Sequence, residues 1–219
     1  MKIFFRYTFI VFGTIVVLIL LWASIIKLYS LHTVSVQPEL FNTNSIEYHY
    51  RSHLLLGYLH IIPGIIFLVL GAYQFIPYFR NKYIKLHRFI GKVFLFLAAI
   101  IFITAIALAL FVPFGNWLET LVTIFFGSYL LYGTYKAYVY AKARKIKLHQ
   151  KWVTRVYFIA IAVSTIRGII ALFTFFADYT LKEAFGISFL LAFILHFILV
   201  EIWIRFLAKK KVEVYIVNQ

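Results

Sequence analysis

Six long apolar runs alternate with short polar breaks along the chain of 219 residues. A helix needs about 20 apolar residues to cross the hydrocarbon core of a bilayer. Runs at roughly residues 3–30, 52–76, 89–112, 117–141, 152–177 and 185–207 meet that requirement. The pattern predicts an all-α membrane bundle of six transmembrane helices. The first run follows a short basic start, as in a signal peptide. It is too long for one, and no small-x-small cleavage site follows, so it reads as a retained anchor. The expected division is an anchor with its outer loop over residues 1–50, a five-helix core over 51–207, and a cytoplasmic tail over 208–219.

The second run interrupts its apolar pattern in a regular way. His53, Gly57, His60, Gly64 and Gly71 stand at helical spacing and share one face. Pro63 lies among them and opens the carbonyl of Leu59, which predicts a kink. The stripe has two readings. A flat cofactor would lie against its glycines, or the glycines let helices pack closely.

Charge sets the topology. Only 13% of residues are charged, against about 25% in soluble domains. The formal charge of +15 would suit nucleic acid, but the cations border membrane spans. Arg80, Lys82, Lys85, Arg88 and Lys92 surround one turn; Lys136, Lys142, Arg144, Lys145, Lys147, Lys151 and Arg155 surround another. Arg205, Lys209, Lys210 and Lys211 follow the last span, and Lys2 and Arg6 precede the first. Positive loops stay in the cytoplasm, which puts both termini there. The longest outer segment, residues 32–50, is expected to cover the outer mouth or form a short interfacial helix. Cysteine is absent, which excludes disulfides, thiolate ligands and a cysteine nucleophile.

A short repeat accompanies the two basic turns. Tyr83-Ile84-Lys85-Leu86-His87-Arg88 resembles Lys145-Ile146-Lys147-Leu148-His149-Gln150. Each precedes an inner-to-outer helix, so the two hairpins read either as parallel duplicates or as convergent turns.

Ionisable groups within spans are expensive and mark function by default. His60, His196 and Arg167 are in this position, while His87 and His149 begin helices at the inner surface. One reading is a b-type haem protein with two ligand pairs at two depths, His60 with His196 and His87 with His149. Arg88, Lys92 and Arg155 would meet the propionates, and a quinone or another redox partner would exchange electrons. The other reading leaves the histidines structural and makes Arg167 a ligand-binding or neutralised group, with Glu201 or Asp178 as its partner. A zinc site from His49, His53 and Glu47 is a third arrangement. No nucleotide loop or hydrolase motif is present.

Gly71-x-x-Gln74-Phe75, Leu86-His87-Arg88-x-x-Gly91-Lys92, His149-x-x-Trp152-x-x-Arg155 and Arg167 together resemble an uncharacterised bacterial multi-pass membrane family, domain of unknown function 2306. Lys92 stands where that pattern has Arg, and Val153 where it has Met. The resemblance covers roughly residues 50–205. It implies a protein of the bacterial cytoplasmic (inner) membrane and brings no activity with it. It draws attention to His87, Arg88, Gly91, His149, Trp152, Arg155 and Arg167. The expected functions are haem-based electron transfer, binding of a lipid or small molecule by a transporter or sensor, or an accessory role in an oligomer or larger membrane complex.

Overall fold

A computed structural model describes the backbone of residues 2–217 and the side chains of residues 13–206. Lys2, Arg6, Lys209, Lys210 and Lys211, which the charge argument used, lie outside the described side chains. Helices account for nearly all of the described backbone. They are α1 (Lys2–Val36), α2 (Ile46–Tyr50), α3 (Leu54–Phe75), α4 (Pro77–Lys82), α5 (Ile84–Phe111), α6 (Trp117–Lys142), α7 (Ile146–Ala160), α8 (Ala162–Phe176) and α9 (Leu181–Val217).

Five helical stretches among the described residues are long and apolar enough to cross a membrane: Gly13–Val36, Ile46–Phe75, Ile84–Phe111, Ile146–Phe176 and Leu181–Phe206. The sixth expected span corresponds to α6, whose apolarity is lower. Tyr129, Tyr132, Tyr135, Tyr138 and Tyr140, with Glu119 and Lys136, dilute its aliphatic residues.

The chain forms two compact units, Met1–Phe114 and Gly115–Gln219. In the first, α1 packs on α3 and α3 on α5. Gly57 meets α1 closely, since a Cβ there would lie 2.8 Å from Leu31 Cδ2. Phe67 stacks on Phe94 at 4.7 Å and meets Phe102 edge-on. Small residues and interlocked rings hold membrane helices together, because lipid tails offer helices no hydrophobic reward for associating. The outer segment forms a 3-10 turn at Pro38–Leu40, then α2, capped by Ser45 Oγ accepting from the Tyr48 amide. Lys27 pairs with Glu47 at 2.6 Å, and His49 Nε2 donates to the Pro113 carbonyl at 2.8 Å. The segment is thus tied to α1 and to the end of the α5 helix region.

In the second unit, α6 packs on α7 and α9, and α9 also packs on α7 and α8. Asn116 caps α6, its Oδ1 accepting from the Leu118 and Glu119 amides. The buried Glu119 carboxylate accepts from the Gly115 amide at 2.7 Å. Phe126 stacks on Phe193 at 4.8 Å and meets Phe197 edge-on. The expected single span over 152–177 falls within Ile146–Phe176, which a turn at Ile161 divides into α7 and α8. By contrast, Pro63 leaves α3 continuous from Leu54 to Phe75. α9 runs on to Val217, through most of the segment expected as a tail.

Candidate functional site

Two mid-span histidines are gripped in related ways, one in each unit. On α3, His60 Nδ1 lies 3.2 Å from the Ile101 carbonyl and 3.1 Å from Thr104 Oγ1. Thr104 spends its own proton on the carbonyls of Ile100 and Ile101. Both neighbours therefore accept, and Nδ1 carries a proton. Nε2 is the nitrogen this grip leaves for other chemistry.

On α9, His196 Nδ1 donates to the Phe158 carbonyl at 2.7 Å, and Nε2 accepts from Thr165 Oγ1 at 2.8 Å. Both ring nitrogens are engaged. A metal at His196 would have to displace the Thr165 hydroxyl.

The repeat extends along the helices that supply the two threonines. α5 and α7 start at equivalent residues, Ile84 and Ile146, which puts His87 and His149 at the same helical position. Phe94, Leu95 and Leu97 are buried in one unit, and Val156, Tyr157 and Ile159 at the matching positions in the other. Thr104 lies 20 positions after Ile84 and Thr165 lies 19 after Ile146. Each unit therefore holds its mid-span histidine with a threonine at nearly the same level.

The inner histidines sit differently. His149 Nδ1 donates to the Ala137 carbonyl at 2.8 Å, across from α7 to α6. His87 is partly buried at the start of α5, where its carbonyl accepts from buried Gln74 at 3.4 Å. Gly91 follows one turn later against the same Gln74 amide.

His149, Trp152 and Arg155 lie on one face of α7, at steps of three. Trp152 fills a notch opened by Gly133, where a Cβ would lie 3.2 Å from its Cε3. Tyr132 meets the indole edge-on at 5.4 Å and Tyr129 lies at 6.0 Å. Arg155 lies over the indole at 4.8 Å and forks onto Glu201, with Nε–Oε1 at 2.6 Å and Nη2–Oε2 at 3.0 Å. The pair is partly buried, at 15% and 21% side-chain exposure, so its attraction is screened less than that of a surface pair.

Several expected sets do not assemble. Glu201, an expected partner of Arg167, pairs with Arg155. Arg167, Arg88 and Lys92 are exposed. The zinc set is dispersed: Glu47 holds Lys27, His49 holds Pro113, and His53 Nδ1 meets Ser52 Oγ at 2.9 Å. No group of three metal-ligating side chains occurs among the described residues. The glycine stripe is no uniform slot either. Leu31 occupies the space at Gly57, whereas nothing lies within 4 Å of a Cβ at Gly64.

Thr104, Thr165 and the Arg155–Glu201 pairing escaped the sequence reading. Glu201 was visible as an acid within an apolar run, but its partner depends on which helices touch.

A family model described as "Predicted membrane protein (DUF2306)" matches residues 57–204, more than half of the chain. No curated protein and no solved structure matches it.

Proposed function

The chain belongs to the DUF2306 family of predicted membrane proteins, and from that premise we propose a bacterial inner-membrane protein that binds b-type haem and passes electrons to an outer acceptor. Its donor is a quinol or a cytoplasmic reductant. The proposal includes α6 as a sixth span and both termini in the cytoplasm. The observation that carries it is the Nδ1 grip. Metal-ligating histidines almost always donate their second ring nitrogen to a carbonyl, carboxylate or water, which fixes ring orientation and makes the ligating nitrogen more basic. His60 and His149 are both held this way, by Ile101 and by Ala137. They are the leading ligands, with His87 next. His196 would ligate only after giving up Thr165. Arg88 stands beside His87 as a cation for a propionate. Bound haem supplies one-electron chemistry whose potential follows its axial ligands and burial.

The test is an absorption spectrum of protein purified from haem-sufficient cells. A Soret band that is lost in His60→Ala or His149→Ala is expected. Colourless wild-type protein would sink the reading. A second reading, a transporter or sensor for a small molecule or lipid, is favoured by the Arg155–Glu201 pair, since ion pairs within spans are costly and mark functional positions by default. Colourless protein that is stabilised by an added amphiphile would favour it.

A further inference from the structure

A groove of about 310 Å³ runs along α9, lined by Phe197, Ile198, Glu201, Ile202 and Arg205. Its wall is apolar and open, with Ile198 48% and Ile202 59% exposed. Its far end is charged. Glu201 is held by both nitrogens of Arg155, so its negative charge is already matched. Arg205 stands one helical turn further on, exposed, and Lys151 on α7 also lies close enough for its charge to act on Glu201. With Glu201 matched by Arg155, Arg205 stands as a net positive charge at the end of an apolar track, and Lys151 adds to the positive potential there.

We propose that this groove seats one phospholipid with an anionic headgroup, drawn from the bilayer. An acyl chain lies along Phe197, Ile198 and Ile202, and the phosphate meets Arg205. The occupant follows from the charge and the apolar wall together. A zwitterionic headgroup carries no net charge to complement that positive charge, and a free phosphate leaves the apolar wall unused. The proposal is independent of haem, since none of these residues is a histidine ligand.

The carboxylate makes the site testable in two directions. Removing Arg205 lowers the excess charge, whereas removing the charge of Glu201 unmasks Arg155 and raises it. The experiment uses full-length protein in micelles doped with phosphatidylglycerol or phosphatidylcholine, with bound lipids counted by native mass spectrometry. Wild type is expected to retain one phosphatidylglycerol in preference to phosphatidylcholine. Arg205→Gln should lower that retention about fivefold, the equivalent of ~1 kcal/mol for one cation near a headgroup. Glu201→Gln should raise it. Ile198→Trp, which fills the track, should lower retention of both lipids. Arg205 is exposed, so its variant tests the site without disturbing packing. Equal retention of the two lipids by wild type would overturn the proposal. So would unchanged retention in a folded Arg205→Gln, or displacement of the lipid by inorganic phosphate alone.

Discussion

Arg155 gathers two interactions that the sequence showed only separately: a ring beneath it and a carboxylate in front of it. Its planar fork matches the carboxylate with two hydrogen bonds, which a lysine would not reproduce. Arg155→Ala leaves Glu201 charged within a span and should cost about 2 kcal/mol, read as a lower unfolding midpoint in detergent. Arg155→Met combined with Glu201→Leu should recover much of that loss, because two apolar side chains remove both desolvation penalties. The spacing His149, Trp152, Arg155 made the shared face legible from sequence. The acid that completes it was not, because pairing between helices is not written in the spacing of either one. Gly186 gives a second prediction. A Cβ there would fall on Asn116 Oδ1, the acceptor that caps α6, and would lie 3.1 Å from the Glu119 amide. Gly186→Ala should therefore displace the cap and cost about 1–2 kcal/mol, measured in the same melting experiment.

Element boundaries were legible where composition changes and hidden where it does not. The basic turn after α6 was plain in sequence, and its geometry explains it. Arg144 adopts φ 57°, the left-handed conformation. The Lys145 amide reaches back to the Tyr140 carbonyl at 2.9 Å and the Arg144 amide to Ala141 at 3.1 Å. This is a Schellman ending with arginine where glycine is usual. Arg144→Gly should remove the Cβ penalty and raise the melting midpoint by the equivalent of about 1 kcal/mol. The break between α7 and α8 had no such signal, since neither Gly nor Pro marks Ile161. A side chain entering the backbone ladder is a known cause of helix breaks. Here His196 takes the Phe158 carbonyl, three residues before the break, and Ser164 Oγ takes the Ile161 carbonyl at 2.8 Å. The cause lies on another helix, thirty-odd residues away in sequence, which no local pattern reports. α6 shows the reverse case. Its length reads as a span, while its tyrosines separate it in apolarity from the other five.

The absence of cysteine in the whole chain offers a direct test of the proposed topology. Single cysteines can be introduced without background and probed with a membrane-impermeant maleimide on intact cells. Asn42→Cys, in the outer segment, should label from outside. Arg144→Cys should label only after permeabilisation, as the inner turn requires. Labelling of both from outside would invert the proposed arrangement of the second hairpin. Within the second unit, α9 is one uninterrupted helix whose described side chains include two polar fastenings to its neighbours. His196 is fixed to Phe158 and Thr165, and Glu201 is fixed to Arg155. The two fastenings are five residues apart on the same rod. A piston-like movement of α9 by one turn, about 5.4 Å, would therefore have to break both fastenings together.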